Sequence, residues 1–592
     1  MSALKKWTRG DLYGIPNMLH SEAVVDSLAD ALMMMGFSRQ KIDFLISYCT
    51  VSGADMGESV RDLGLGTSEK VMQAAAIRHG MPYFPQEAMD YVRADLLADY
   101  APTISAEASD IPYVPVGIAE DGTVLVAINN GFRRQDALNR LHKITRKVEL
   151  CLASNKVLQH VYRSEFFNTR ELFDEARARK HSEDRYLQML QALLIHACFQ
   201  RASDIHLLPL PGDAGAIFVR VDGVMELFSI IRRNSKGIGH DAEEFDRILQ
   251  VIRMDTTAKD GQITEGTLSD VIPQSILGKY QFRVEITDTV RSPRTVIRIL
   301  SVADDAAEFD DIGFDAATKK RLLHYAAQSA GMLIVTGPTG SGKTTTLNAL
   351  MKTIDPLSSS IQTIENPVEL LVGLWAQHHA KILDSLKSEA TEWIKWFKAL
   401  MRSDPDFMLF GEVRDADTTA VALDGANTGH NVFASMHTKS APSAVQRIRN
   451  LRREGTGEPL DMDTVASTLH GILAVRLLRK LCNYCKVVDD REDTRTHIEM
   501  VHNTSPETTF YRHAEGGCPS CRGKGYRGRH MVYELLHFSR HVRMLVSTNA
   551  PITELEAAIE PRLSLWGTGL GLVDKGITSI DELRRVVLED IE

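Results

Sequence analysis

Long apolar runs are missing from this chain of 592 residues. No stretch reaches the roughly 18 consecutive apolar residues that a membrane-crossing helix needs, so no transmembrane span is expected. The amino terminus, Met1-Ser2-Ala3-Leu4-Lys5-Lys6-Trp7, has no apolar segment behind its lysines. A secretory leader is therefore not expected either, and the chain should stay in the cytoplasm. Cysteine is scarce, seven in all, and four of the seven fall in two Cys-x-x-Cys pairs. In a reducing compartment that pattern points to metal rather than to disulfides. An excess of positive charge is also absent: 68 Lys and Arg stand against 78 Asp and Glu, a net charge of −10. This argues against a bulk nucleic-acid binder, although a local basic groove stays open. What remains is ordinary for a globular protein, 44% hydrophobic and 25% charged, and long enough for about four domains.

One stretch organises the rest. Gly337-Pro338-Thr339-Gly340-Ser341-Gly342-Lys343-Thr344 fits the phosphate-binding pattern GxxxxGK[ST]. The apolar run Met332–Thr336 before it reads as a buried strand, and Thr345–Met351 after it as the start of a helix. A glycine-rich turn can match such a pattern by chance, but the mechanism demands strand before and helix after, and both are present. Glycines let successive backbone N–H groups turn towards a phosphate, and the helix adds the positive end of its dipole. Lys343 would reach the β- and γ-phosphates and the Thr344 hydroxyl would hold Mg²⁺. This is read as a nucleotide site.

Upstream, Val24–Met35 and Glu69–Arg78 show helical spacing, and Ile111–Val116 and Val124–Ile128 read as strands around the turn Glu120-Asp121-Gly122. Residues 1–165 are expected to form an N-terminal α/β domain. The charged stretch 166–185 is expected to be a linker, with a solvated helix of the next domain as the alternative. A second module follows, 186–302. It opens with a helix, Tyr186–Gln200, and continues through Ser203-Asp204-Ile205-His206 to strands at Ala216–Val221, Val224–Leu227, Phe282–Ile286 and Thr295–Leu300. Arg220, Arg283 and Arg298 on these strands fit a solvated face, and beside a phosphate loop they also fit donors of charge to a nucleotide.

After the phosphate loop, three apolar strands each end in polar residues. Ile361–Ile364 runs into Glu365-Asn366-Pro367-Val368-Glu369, Phe407–Phe410 into Gly411-Glu412-Val413-Arg414-Asp415, and Val432–Met436 into His437-Thr438. Open parallel sheets bind ligands at such ends. Carboxylates there can orient water or hold Mg²⁺. Farther on, Cys482-Asn483-Tyr484-Cys485 and Cys518-Pro519-Ser520-Cys521, with Gly516-Gly517 bending the second knuckle, suit a structural tetrahedral Zn²⁺–Cys₄ site with an inserted loop between the pairs. Cys49, Cys151 and Cys198 lie in apolar surroundings and read as core residues.

Taken in order, these segments resemble the hexameric ATPases of type II secretion and type IV pilus assembly. Ser203–His206 with Arg220-Val221-Asp222-Gly223 is similar to that family's SDIH and RxDG signature. Gly337–Thr344 is similar to its Walker A loop, Glu365–Glu369 to its Asp box, Asp404–Asp415 to its Walker B region, and Thr428–Thr438 to its His box. The four cysteines with Gly525–Arg529 resemble the tetracysteine element of the assembly branch, and Gly576–Ser579 the family's closing segment. The likeness is strong over about 185–592 and looser over 20–165.

The resemblance implies an α/β, multidomain fold: a RecA-like P-loop ATPase core over 303–592, with a zinc element at about 480–530. Before it would come a smaller PAS-like α/β module bearing the arginines, and before that an α/β docking domain. It implies a homohexamer that hydrolyses ATP with Mg²⁺ and acts on an inner-membrane platform protein to assemble pili or a secretion pseudopilus. The protein would be cytoplasmic, peripheral at the inner membrane through that partner. Glu412 and Glu365 would serve metal and water, His437 would sense the γ-phosphate, and Arg220, Arg283 and Arg298 would be candidate charge donors. Three positions depart from the family: Asn366 stands for Asp, Val475 for Gln, and Asp55 for an Arg in the N-terminal domain, where some members bind cyclic di-GMP. A carboxylate does not hold a phosphodiester. The competing readings are a conjugative thin-pilus ATPase, a nucleotide-locked assembly protein with weak turnover, and a nucleic-acid translocase, the last opposed by the acidity and the SDIH module.

Overall fold

The computed structural model describes residues 4–104, 111–179, 184–211, 214–232, 244–255, 263–268, 271–272, 280–287, 289–290, 293–301, 308–366, 368–379, 389–491 and 509–587. The chain forms two units, Met1–Gly53 with Ser68–Asp305, and Ala54–Thr67 with Ala306–Glu592.

In the first unit the runs VPVGI and VLVAI become β1 (Val114–Ile118) and β2 (Val124–Ile128), paired antiparallel, and β3 (Val148–Leu152) joins β2 in parallel. All five residues of β2 are buried, because helices and the aromatic pair Tyr83 and Phe84 close over this small sheet. The turn works as its sequence requires: Gly122 takes φ +81° and the Asp121 carboxylate accepts the Thr123 N–H at 3.0 Å.

The same unit holds a six-stranded, wholly antiparallel sheet. In chain order its strands are β4 (Asp204–Leu210), β5 (Ala214–Val221), β6 (Val224–Arg232), β7 (Ile263–Leu268), β8 (Tyr280–Thr287) and β9 (Arg294–Ser301). Their spatial order is β6-β5-β4-β9-β8-β7. Period-two alternation puts Ile205, Leu207, Ile217, Val219, Phe282, Val284 and Ile297 on one face, against the apolar sides of helices Arg185–Phe199 and Glu244–Asp255. Residues 166–185, expected as a linker, contain the helix Thr169–Ala178, whose Phe173 and Ala176 enter this same core. The charge of the stretch is used locally, since Arg177 and Arg185 both bond the buried Glu244, at 3.0 and 2.7 Å.

The second unit is built on a seven-stranded sheet of order β12-β11-β13-β14-β10-β15-β16. These strands are β10 (Gly331–Thr336), β11 (Ile361–Glu365), β12 (Ala376–His379), β13 (Phe407–Phe410), β14 (Asn431–Met436), β15 (Leu469–Leu481) and β16 (Tyr526–His537). All pairs are parallel except β15 with β16. Every residue of β10, β11 and β14 is buried, as a parallel sheet covered on both faces requires. Alternate residues feed two cores. Met332, Ile334, Val432 and Ala434 enter one, and Leu333, Val335, Phe433 and Leu473 the other. The long strand β15 lies beside the phosphate-loop strand, and β16 lies beyond it at the sheet edge. Ala54–Thr67 adds a short helix, Met56–Asp62, to this unit, with Asp55 as its N-cap.

Candidate functional site

The strand β10 delivers the phosphate loop, and the loop's glycines take the conformations that only glycine adopts freely. Gly337, Gly340 and Gly342 have φ of +157°, +74° and +94°. At Gly337 space matters as well, because a Cβ would stand 2.6 Å from the Val475 carbonyl oxygen. The helix Lys343–Met351 starts at Gly342 with no side chain capping its first turn. Its leading N–H groups are left for a ligand. Among the described residues the buried Ser341 Oγ has no hydrogen-bond partner. Lys343, 8% exposed, turns its ammonium back on the Gly337 and Pro338 carbonyls, 3.0 Å from each. Burial brings its pKa down to about 8, with Glu412 pulling the other way, Arg476 adding to the fall and Glu369 opposing it. Uncapped N–H groups, an orphan hydroxyl and an ammonium that, among the described residues, bonds only loop carbonyls fit a polyphosphate. Thr344, next on the helix, is half-buried.

The neighbouring strand ends converge on the same ammonium. Glu412, just past β13, bonds Arg414 at 2.8 Å and lies 3.5 Å from His437 Nε2, just past β14. The His437 imidazole is held below its ordinary pKa, first by burial and then by Lys343, against the pull of Glu412. Backbone bonds lock these ends together: Gly411 N–H to Ile364 O at 2.8 Å and Val413 N–H to Ser435 O at 2.9 Å. Arg447, on helix Ala441–Asn450, donates to the carbonyls of His437 and Arg414 at 2.8 and 3.1 Å. Glu365 ends β11 buried, and burial pushes its carboxyl above the usual range although Thr363 and Gln377 donate to it. Asn366 is exposed, its Oδ1 3.4 Å from His379 Nε2. The structure thus gathers Lys343, Glu412, His437 and Glu369.

Sequence reading passed over Arg447, Arg476 and Gln377. None follows a strand end or belongs to a glycine-rich motif, so only the fold reveals them. Glu369 lay inside a recognised motif but was not singled out.

The three arginines come together with each other in the first unit. Asp204 on β4 pairs in register with Arg220 on β5 and with Arg298 on β9, and Arg298 pairs with Arg283 on β8. All four lie on the sheet face opposite the core. Arg298 Nε is 3.1 Å and Arg220 Nε 3.6 Å from the Asp204 carboxylate. One acid thus pairs with two arginines of the row, and Arg283 stands opposite Arg298.

The four cysteines also meet. Cys482 follows directly on β15, and Cys518 and Cys521 lie just before β16. Their ligand atoms all lie within 4.8 Å of one another, with Sγ separations of 3.7 Å for Cys482–Cys518 and Cys485–Cys521, and 3.8 Å for Cys518–Cys521. A tetrahedron with Zn–S bonds of about 2.3 Å has edges of about 3.8 Å, so the group fits that ion. Burial pushes the Cys521 thiol up, but backbone N–H groups of Cys518 and Gly525, each 3.1 Å from Sγ, help bring it down to about 7. The loop expected between the pairs lies mostly outside the described residues.

Residues 179–585 match the family model described as "Type II/IV secretion system protein". The chain is 31% identical over 409 residues to the type IV pilus assembly ATPase TfpB of Acinetobacter baylyi, a match covering 69% of this chain and 66% of that protein. It is 30% identical over 414 residues to the putative type II secretion system protein E of Escherichia coli K12, covering 69% of this chain and 78% of that protein. A crystal structure of the pilus retraction motor PilT with bound ADP is 21% identical, covers 67% of this chain and 96% of its own, and has a TM-score of 0.43.

Proposed function

Because the chain belongs to the type II/IV secretion system protein family and is an ATP hydrolase by that membership, we propose that it is the motor for assembly of a type IV pilus or a type II secretion pseudopilus. The observation that carries this reading is the convergence of Lys343, Glu412, Glu369 and His437 at one end of the parallel sheet. In this reading the loop Gly337–Thr344 holds the phosphates of ATP. Glu412 and Glu365 hold the attacking water and the metal shell, with Asn366 beside them. Mg²⁺, when bound, neutralises charge between the β- and γ-phosphates, with the Thr344 hydroxyl as its protein ligand. His437 reports whether the γ-phosphate is present. Arg220, Arg283 and Arg298 supply positive charge to the nucleotide.

The working form is a homohexamer in the cytoplasm, held at the inner membrane by a platform protein, and it needs no nucleic acid. The tetracysteine group holds a structural Zn²⁺. Metal analysis of protein purified without chelator should find one zinc per chain, lost in a Cys482→Ser/Cys485→Ser variant; zinc-free wild type would reject the ion.

The hydrolytic role is tested by Glu412→Gln, which keeps shape and removes the charge. ATP binding should stay near normal while turnover falls by about 10²-fold or more. Full turnover in this variant would remove Glu412 from the reaction. Turnover unchanged by added DNA or RNA separates the motor from a translocase.

A further inference from the structure

Glu365 is 4% exposed, and two side chains hold the same carboxylate oxygen. Thr363 Oγ1 donates to Oε1 at 2.7 Å and Gln377 Nε2 at 3.4 Å. Gln377 sits on the edge strand β12, directly opposite Thr363 in the parallel register. Its Nε2 also donates to the Leu370 carbonyl at 2.7 Å, and its Oε1 accepts the Val372 N–H at 2.7 Å. Both amide hydrogens and the amide oxygen are thereby used, an arrangement that neither Leu nor Glu can reproduce. One side chain ties the carboxylate at the end of β11 to the loop that leads to β12.

That loop is gripped from the far end of the sequence. The Gly373 N–H donates to the Asp62 carbonyl at 2.8 Å, at the end of helix Met56–Asp62. A Cβ on Gly373 would stand 2.7 Å from that oxygen, and a Cβ on Gly64 would stand 2.2 Å from Val372 Cγ1. Two glycines therefore permit a contact that any side chain would wedge open. Leu63 and Leu65 beside them are buried, and Thr67 Oγ1 donates to Glu308. In sequence this segment continues into helices Arg39–Ser52 and Ser68–His79, which belong to the other unit.

We propose that Gln377 is a positioning residue for Glu365, and that Ala54–Thr67 is a clamp that seats the Leu370–Gly373 loop through which Gln377 acts. The N-terminal segment then has a covalent route to the site. This rests on the reading of Glu365 as a carboxylate of the ATP-hydrolysing site.

The test uses the full-length protein and measures kcat and KM for ATP, with a fluorescent ATP analogue to verify binding. Gln377→Leu should lower kcat by roughly ten- to a hundredfold, as small misplacement of a reacting group does, with KM within about twofold. Gly373→Ala, at a position outside the left-handed region, puts its new Cβ against the Asp62 carbonyl oxygen and should lower kcat in the same way. A Gln377→Leu protein with wild-type kcat overturns the proposal while leaving the ATPase reading intact. A wild type that does not hydrolyse ATP overturns both. If Gln377→Leu fails to bind the analogue, Gly373→Ala decides: wild-type kcat rejects the clamp, and lowered kcat with KM kept upholds it.

Discussion

The two large sheets carry their charged residues in different places. In the second unit's sheet the central strands β10 and β14 are buried on both faces and carry no charge, and charged groups stand past the strand ends, where Lys343, Glu412 and His437 meet. In the antiparallel sheet one face packs on helices, and charge runs across the other, from Arg220 through Asp204 and Arg298 to Arg283. Among the gathered groups Lys343, Glu412, His437 and Glu369, the ammonium and the imidazole each occur once. In a cross-strand row, neighbours of like type share the work. This predicts large single-residue effects in the second unit and graded ones in the first.

Lys343→Ala should break the contrast most visibly if it is wrong. No other ammonium lies in the loop Gly337–Thr344, so ATP affinity should fall by orders of magnitude with the fold intact. Titration with a fluorescent ATP analogue measures this. Retention of affinity within about threefold would show that the strand-end site does not depend on single groups.

How much of this was legible in the sequence follows from the same contrast. A strand end announces itself locally: Phe407–Phe410 followed by Gly411-Glu412 can be read in one window, and so can the phosphate loop and the cysteine pairs. A cross-strand row cannot. That Asp204 stands between Arg220 and Arg298 is a fact of register, and register is set by packing of the apolar face rather than by any residue in the row. Gln377 was unreadable for the same reason, since its meaning comes from facing Thr363. The helix Thr169–Ala178 was open as the alternative to a linker, and what its charge concealed is that Leu172, Phe173 and Ala176 seat it on the core. That residues 54–67 join the second unit is contact between segments far apart in sequence, to which no window is sensitive.

The row should respond more softly. A single arginine at a transferring phosphoryl group is worth about 10³-fold or more in rate. Removing one of three should cost less than that, because the other two remain in the row. Arg298, with its side chain 49% exposed, should in addition change stability by less than about 1 kcal/mol when replaced by Ala. Turnover and urea unfolding of Arg220→Ala, Arg283→Ala and Arg298→Ala check both parts. If one variant alone abolishes turnover while the other two match wild type, the three arginines do not share their charge.

A smaller effect comes from pH. The Lys343 pKa is depressed to about 8 by burial, and a bound phosphate favours the charged form. Below about 8 the free protein already carries the ammonium, and affinity should be flat. Above it, binding must take up a proton, so ATP affinity should weaken by up to about tenfold per pH unit. Flat binding from pH 7 to 9.5 would show that the ammonium is not desolvated as its surroundings imply.

Asn366 is the strand-end position where the contrast predicts least, because it is the one of these groups that is exposed. Its amide has the shape of a carboxylate and can hold water by hydrogen bonds, but it brings no charge to Mg²⁺ and no proton acceptor. Buried Glu365 beside it and Glu412 on the next strand end keep their carboxylates. A motor with slow turnover and a raised demand for Mg²⁺ is expected, which also bears on the alternative of an assembly protein locked on its nucleotide. The substitution Asn366→Asp should raise turnover or lower the Mg²⁺ needed for half-maximal rate. His379 Nε2, 3.4 Å from Oδ1, can accompany either side chain, so the fold should be unaffected. Titrating Mg²⁺ against ATPase rate at matched nucleotide compares the two proteins. Superimposable curves would place Asn366 outside the metal shell, and the missing charge would then have no bearing on the speed of this motor.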